Sequence, residues 1–156
     1  MHKAESVLNE LLVRLFNEIL LIEQLSLNRD NFKDLSIVEI HTIEAIGDDK
    51  PRTMSEVAID LKITVGTLTT AINNLVRKGY VERKKIQEDR RFVLVELTQK
   101  GIVVNKVHAE FHSKMVNKVM AGLSTQEEEV LVSALQKLTD FFRTEYNVGN
   151  LEGRDK

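Results

Sequence analysis

Apolar residues recur at helical spacing near both ends of the chain. One stripe marks the N-terminal segment and consists of Leu8, Leu11, Leu12, Leu15, Ile19 and Ile22. Two further stripes follow Thr98 and Ser124 and consist of Val104, Val107, Phe111, Met115 and Val119, and of Val130, Leu131, Leu135, Leu138 and Phe142. This spacing predicts three long amphipathic helices. Their stripes are wider than one small domain can bury, so we expect them to form a dimer interface.

Shorter helices are predicted between these long ones. Ser36 with Glu39 and Thr53 with Glu56 match the capping box that opens a helix, and Gly47 ends the first apolar run. Thr64 can cap a third helix. The short helices are therefore predicted over residues 36–46, 53–61 and 64–78.

The hydrophobic period changes after residue 79. Segments 81–85 and 92–97 have the pattern of two strands, and the charged segment 87–91 between them is typical of a hairpin tip. The order of elements is thus four helices, a hairpin and two helices. It predicts a mainly α protein with a small β-wing, in which a winged helix-turn-helix domain adjoins a helical dimerisation domain.

Composition narrows the class of protein. The chain has 156 residues with one Pro, seven Gly and no Cys, which excludes disulfides and thiolate metal sites. A chain without Cys suits a reducing compartment, so we expect a cytoplasmic protein. No segment approaches the roughly 20 apolar residues of a membrane span. The N-terminal segment carries too many charged residues for a signal peptide.

Positive charge is concentrated in the middle third of the sequence. Residues 51–100 hold ten Lys and Arg against six Asp and Glu, a balance of +4. Residues 1–50 hold five against ten, or −5, and residues 101–156 hold seven against eight, or −1. Because a polyanion responds to the local field, this distribution favours nucleic-acid binding by the central segment despite the formal net charge of −2.

The helix predicted over residues 64–78 has two distinct faces. Its inner face holds Val65, Leu68, Ala71, Ile72, Leu75 and Val76. Its other faces carry the candidate DNA contacts Thr67, Thr69, Thr70, Asn73, Asn74 and Arg77. Asn and Arg pair with base edges, and Thr reaches phosphates or a thymine methyl group. The alternative is an ordinary solvated face, although Thr and Asn are poor helix formers.

The predicted hairpin adds a second set of cations. Arg90 and Arg91 at its tip suit a narrow, electronegative minor groove. Lys84 and Lys85 on the supporting strand can reach phosphates. A hairpin with Arg at its tip is common and is weak evidence by itself. Because it directly follows a pair of helices in this sequence, it favours a winged helix.

Sequence motifs in this region resemble those of the MarR family of transcription regulators. The run 89–91 with Leu97, Thr98 and Gly101 is similar to the family's DxR…LTxxG signature, and segment 75–83 is similar to its L-x-x-x-G-[YL]-[IV]-x-R segment. The resemblance implies a homodimer built on the first, fifth and sixth helices. We assign residues 1–34 and 98–146 to dimerisation, 35–97 to DNA binding and 147–156 to a flexible tail. A dimer predicts a pseudo-palindromic operator with half-sites about 10–10.5 bp apart.

A finer resemblance is to the members of this family that repress fatty-acid synthesis in Gram-positive bacteria. It rests on segments 32–36, 41–44, 65–70, 73–75 and 107–112. It implies long-chain acyl-acyl carrier protein as co-repressor, acting as an effector rather than a cofactor. The candidate acyl-chain residues are Leu15, Phe16, Ile19, Leu20, Ile43, Val107, Phe111 and Met115. The same residues also suit an ordinary dimer core.

Acyl carrier protein is acidic, as the resemblance implies, so its docking site should be basic. The candidate docking residues are Arg14, Arg29, Lys33 and Lys106. A small aromatic or phenolic ligand is an alternative effector.

Zinc is the other alternative ligand. His108 and His112 lie four residues apart on one helix face, a spacing that can chelate Zn²⁺. Glu110 lies off that face, and His41 or Glu23 would have to come from other helices. No third ligand is evident from the sequence, so we expect no metal site. The sequence also lacks a phosphate-binding loop, a nucleophile motif and an HExxH motif, so we expect no enzyme.

Overall fold

The computed structural model describes residues 3–29, 32–85 and 93–146. Within these ranges the elements are α1 (Lys3–Arg29), α2 (Ile37–Ile46), β1 (Arg52–Thr53), α3 (Met54–Leu61), α4 (Val65–Arg77), β2 (Val81–Lys85), β3 (Val93–Leu97), α5 (Gln99–Met120) and α6 (Thr125–Glu145). The mainly helical architecture with a small sheet confirms the predicted fold class. The predicted flexible tail, 147–156, lies outside the described residues.

Helix starts follow the capping signals of the sequence. Ser36, Thr53 and Ser124 each accept a hydrogen bond from the third helical residue, whose Glu side chain accepts one from the capping backbone amide. Thr64 and Thr98 cap α4 and α5 through their side-chain oxygens. These bonds satisfy amides that the first helical turn leaves without partners.

The sheet has three antiparallel strands in the order β1-β3-β2. β2 and β3 form the predicted hairpin, with Val81 opposite Leu97 and Lys85 opposite Val93. β1 was not predicted, because a strand of two residues is too short to show an alternating pattern. It pairs Arg52 with Val95 and lies directly before α3, so it ties that helix to the sheet.

The hydrophobic core of the described residues lies where α2, α3 and α4 meet the sheet and the start of α5. Its buried members include Ile40, Ile43, Val57, Leu68, Ile72, Leu75, Val95 and Val104. Val65 was predicted to face this core and does not: it is 37% exposed. It is the first residue of α4, so it precedes the turn that packs against the other helices.

Much of α1 and α6 is not packed in the single chain. No residue of α6 is buried, and in the described part of α1 only Glu23 and Leu27 are. The exposed large apolar side chains of α1 are Val7, Leu8, Leu11, Val13, Leu15, Phe16, Leu20, Leu21, Ile22 and Leu25. Those of α6 include Val130, Leu135, Phe141 and Phe142. Across the described ranges, no helix combines the length and apolarity that a membrane span requires.

The end of α4 and the start of α5 are joined closely. Thr98 donates its backbone amide to the Tyr80 carbonyl at 3.0 Å and its hydroxyl to the Gly79 carbonyl at 2.7 Å. A Cβ atom at Gly101 would lie 2.2 Å from the Tyr80 carbonyl oxygen. Glycine is therefore required at position 101 for α5 to approach this turn.

Candidate nucleic-acid interface and the helix junction behind it

The outer face of α4 presents most of the predicted DNA contacts to solvent. Thr67, Thr70, Asn73 and Arg77 are exposed. The first turn of α4 contains no acidic residue, so its positive dipole end is not neutralised there. Such a face can enter a major groove without bringing a carboxylate close to phosphate.

Two predicted DNA contacts are less accessible. Thr69 is half-buried and its hydroxyl donates to the Val65 carbonyl at 2.8 Å, which fixes it against the helix backbone. Asn74 is also half-buried and accepts a hydrogen bond of 3.1 Å from Arg77. Asn74 thus orients the Arg77 guanidinium, while Arg77 extends into solvent.

Arg83 is a candidate contact that the sequence analysis missed. It lies on β2 and donates to the Asn73 Oδ1 atom at 2.6 Å. This bond leaves both Nδ2 hydrogens of Asn73 and one Oδ1 lone pair available to a base edge. The guanidinium also adds positive charge beside Asn73. Arg83 is the last residue of the family-like segment 75–83, which was the available signal.

The positive charge of Lys84 is offset by a neighbouring carboxylate, which the sequence analysis did not predict. Lys84 forms an ion pair with Glu96 on β3, and hydrogen bonding to that carboxylate raises the pKa of Lys84. Glu96 also raises the pKa of the neighbouring Glu82 through a hydrogen bond. The paired carboxylates offset the lysine charge at the base of the wing. Arg90, Arg91 and the side chain of Lys85 lie outside the described residues.

A partly buried polar network packs against the C-terminal end of α4. Glu39 at the start of α2 accepts from the Ser36 amide at 2.8 Å and from Lys78 Nζ at 2.8 Å. Lys78 also donates to the Asp34 carbonyl, and Tyr80 donates its hydroxyl to Asp34 Oδ1 at 2.9 Å. Burial and this last bond raise the pKa of Tyr80. The network fixes the C-terminal end of α4 on the segment that begins α2.

The candidate acyl-chain residues occupy three environments. Ile43 lies fully in the core. The half-buried members are Ile19, Val107, Phe111 and Met115. Leu15, Phe16 and Leu20 are exposed on α1. In the described part of one chain they therefore do not line a single enclosed cavity.

The candidate docking cations lie on α1, on the loop before α2 and on α5. Arg14 is exposed but forms an ion pair with Glu18 at 2.7 Å. Lys33 and Lys106 are exposed. The side chain of Arg29 lies outside the described part of the structure.

The histidine pair lies beside Glu23 and His41, the two residues that the sequence analysis named as possible partners from other helices. Glu23 of α1 and His41 of α2 lie beside His108 and His112 of α5. His112 Nε2 is 2.9 Å from Glu23 Oε1 and 3.1 Å from His108 Nε2. Burial and the neighbouring His112 lower the pKa of His108, which favours its neutral form.

Comparison with known proteins places this architecture in a family. A profile of the MarR family matches residues 35–93. Streptococcus pneumoniae FabT, whose crystal structure is a complex with DNA, is 42% identical, with 90% of this chain and 98% of that chain covered and a TM-score of 0.85. The Staphylococcus aureus MepR–DNA complex is 22% identical over 86% of this chain and 97% of that chain, with a TM-score of 0.70, and shows the same fold.

Similarity to regulators extends to the curated proteins. The HTH-type transcriptional regulator BilQ of Clostridium symbiosum is 28% identical over 105 residues, which are 67% of this chain and 72% of that protein. These relatives are transcription regulators rather than enzymes. The chain therefore belongs to the MarR family and is a winged-helix transcriptional regulator.

Proposed function

We propose that this chain is a homodimeric repressor of fatty-acid-biosynthesis genes, with long-chain acyl-acyl carrier protein as its co-repressor. The observation that carries the proposal is the 42% identity to the DNA complex of Streptococcus pneumoniae FabT across 90% of the chain. The sequence resemblance to fatty-acid-synthesis repressors is the basis for proposing acyl-acyl carrier protein as the effector. The geometry of α4 and of the flanking helices supports both parts.

Operator binding is supported by the outer face of α4. Asn73 and Arg77 are exposed there, and each is oriented by a hydrogen bond, with Arg83 and Asn74 respectively. A side chain that is already oriented loses less conformational freedom when it pairs with a base. In the proposed complex α4 lies in the major groove and these two residues read base edges.

Homodimer formation is supported by the apolar faces of α1 and α6. Phe16 is 60% exposed, Phe141 is 53% exposed and Val130 is 68% exposed in the single chain. Exposed apolar side chains in such numbers mark an interaction surface. In the proposed dimer they are covered by the partner, which sets the distance between the two α4 helices.

An acyl-chain site is supported by the gradient of burial across the candidate residues. Phe111 and Met115 are half-buried on α5, and Leu15 and Phe16 are exposed on α1. A second subunit covering the α1 side chains would enclose a space with largely apolar walls. The acyl chain would then stabilise one arrangement of the dimer helices.

The test is fluorescence anisotropy of the protein on a labelled pseudo-palindromic operator, at fixed salt. Long-chain acyl carrier protein is compared with the unacylated carrier. We expect tighter operator binding with the acylated form alone. Phe111→Ala should reduce that response, whereas Val103→Ala, an apolar truncation at an exposed position of α5 outside its apolar stripe, should leave it unchanged.

The assay can contradict the acyl co-repressor and sequence-specific operator binding separately. Sequence-specific binding that neither carrier alters would contradict the acyl co-repressor and retain the operator-binding regulator. Equal binding to a scrambled operator would contradict sequence-specific recognition by α4.

A further inference from the structure

We propose that Glu96 lowers the affinity of this protein for DNA of any sequence, because its carboxylate pairs with Lys84, a lysine that would otherwise bind a phosphate. Both residues lie on the hairpin of β2 and β3, next to the outer face of α4. The inference rests on DNA binding by the winged helix. It requires neither the acyl effector nor a known operator sequence.

Lys84 lies close to the surface that α4 presents to DNA. Its neighbour in the chain, Arg83, donates a hydrogen bond of 2.6 Å to Asn73 on the outer face of α4. Consecutive Cα atoms are about 3.8 Å apart, so Lys84 begins beside this contact. Its side chain is 55% exposed and stands on an edge strand of the sheet. A duplex held by the outer face of α4 would therefore bring phosphates near the Lys84 ammonium group.

Glu96 competes with DNA for that ammonium group. Lys84 stands opposite Leu94 in the register and Glu96 stands opposite Glu82, so the ion pair runs diagonally across the hairpin on one face of the sheet. Lys84 can reach a phosphate only by leaving Glu96 or by bringing the negative charge of Glu96 close to the DNA. Either course reduces the affinity that this lysine contributes.

Glu82 keeps the negative charge of the cluster on Glu96. The two residues are directly opposite each other, and a hydrogen bond between their carboxyl groups raises the pKa of Glu82. Hydrogen bonds with Lys84 and with Glu82 lower the pKa of Glu96. Glu96 is thus the carboxyl group that stays ionised beside Lys84, and it is the residue whose charge the test should remove.

The ion pair should contribute little to the stability of the hairpin. Exposed ion pairs stabilise a fold only slightly, because water and salt screen their charges. The two strands are also held by their hydrogen-bonded ladder and by the buried side chains of Val81, Val95 and Leu97. Removing the charge of Glu96 should therefore leave the protein folded, so that its effect on DNA binding can be measured.

Weak binding to arbitrary DNA favours discrimination between sequences. Phosphate contacts strengthen binding to every sequence alike, whereas base contacts strengthen binding to the operator alone. A regulator must find its operator among a large excess of competing sites, so the ratio of the two affinities matters. By offsetting Lys84, Glu96 leaves a larger share of the binding free energy to the base contacts proposed for Asn73 and Arg77.

The test measures the affinity of the full chain for a labelled, scrambled duplex by fluorescence anisotropy over a series of salt concentrations. Glu96→Gln removes the charge and keeps the size of the side chain. We expect this variant to bind the duplex about 3- to 10-fold more tightly than the wild type at about 0.1 M salt. The slope of log K against log salt concentration should become steeper by about 0.9, the value for one additional phosphate contact.

Two further variants separate the action on Lys84 from a general change in net charge. Glu110→Gln is the matched control, because it also neutralises a carboxylate paired with a lysine, Lys114, but on α5. It should bind the scrambled duplex like the wild type. Lys84→Ala combined with Glu96→Gln should have the same salt slope as Lys84→Ala alone, because the lysine that Glu96 holds is absent. Circular dichroism and Tm check that each variant is folded.

Two results would overturn the proposal: a gain in Glu96→Gln no larger than that in Glu110→Gln, or the same gain in the Lys84→Ala background. Operator recognition is tested separately, by the preference of the wild type for its operator over the scrambled duplex. Equal binding to these two duplexes would contradict operator recognition and still leave the effect of Glu96 measurable.

Discussion

The winged-helix core and the flanking helices differ in how much of their apolar surface is buried within one chain. Ile43, Val57, Ile72 and Val95 are fully buried where α2, α3, α4 and the sheet meet. α6 has no buried residue, although it is as strongly capped as the core helices. Local sequence signals thus form both regions, but only the core is stabilised by its own tertiary contacts. In the proposed dimer the exposed apolar faces of the flanking helices are covered by the second chain.

Truncation of apolar residues in the two regions should have the largest and most different effects. Ile72→Ala in α4 should lower the free energy of unfolding by about 2–5 kcal/mol, because it leaves a cavity in a closed core. Leu135→Ala on α6 should instead weaken self-association. Chemical denaturation and sedimentation equilibrium measure the two effects. An equal loss of unfolding free energy that does not depend on protein concentration would contradict the distinction.

The next largest effect on stability is expected where α5 packs against the turn that follows α4. Gly101→Ala should destabilise the fold by about 1–3 kcal/mol, since the new methyl group meets the Tyr80 carbonyl and the backbone must move. Gly122→Ala is the matched control, because a Cβ there meets its nearest atom at 3.5 Å. Thermal unfolding compares them. Similar Tm values would mean that α5 does not approach the turn this closely.

Substitutions on the DNA-facing surface of the winged helix should change DNA affinity without changing self-association. Asn73→Ala should cost about 1–3 kcal/mol of operator binding and relax base preference, because it removes a base-edge contact. Lys84→Ala should weaken binding to all sequences slightly, since its charge is already offset by Glu96. Anisotropy on matched and substituted operators measures both. A change in base preference in Lys84→Ala would reverse these roles.

The smallest expected effect concerns the turn between α3 and α4. Lys62 ends α3 with φ of 54°, a left-handed conformation that costs a non-glycine residue roughly 1 kcal/mol. Lys62→Gly should therefore stabilise the core by up to about 1 kcal/mol and leave self-association unchanged. Lys50→Gly, at another exposed lysine outside the helices, serves as the control in the same denaturation experiment. A loss of stability in Lys62→Gly would show that the turn is not strained.

Features encoded within a few residues were predictable from the sequence. The capping boxes at Ser36 and Thr53 located two helix starts, because each motif closes its own hydrogen bonds over four residues. The polar face of α4 followed from helical periodicity. Only the fold could reveal pairings between distant segments, such as Arg83 with Asn73 and β1 with β3.

The contacts of His108 and His112 with Glu23 and His41 are a second case in which the fold joins distant segments. The spacing of His108 and His112 was visible within one helix. Glu23 and His41 are more than 60 residues away in the sequence and reach the pair only through the packing of α1 and α2 on α5. A search for a third ligand close to the pair in sequence could not succeed.

The close contact at Gly101 fixes the start of α5 against the turn that follows α4, so a tilt of α5 should be transmitted to α4. α5 has 22 residues and is about 33 Å long at 1.5 Å per residue. A tilt of about 5° therefore moves its far end by about 3 Å, and α4, attached at its base, must turn with it. That displacement is close to the 3.4 Å rise of one base pair. In the proposed dimer, a partner that holds the far end of α5 would transfer a displacement of this size to α4, which would move it by about one base-pair step along the DNA.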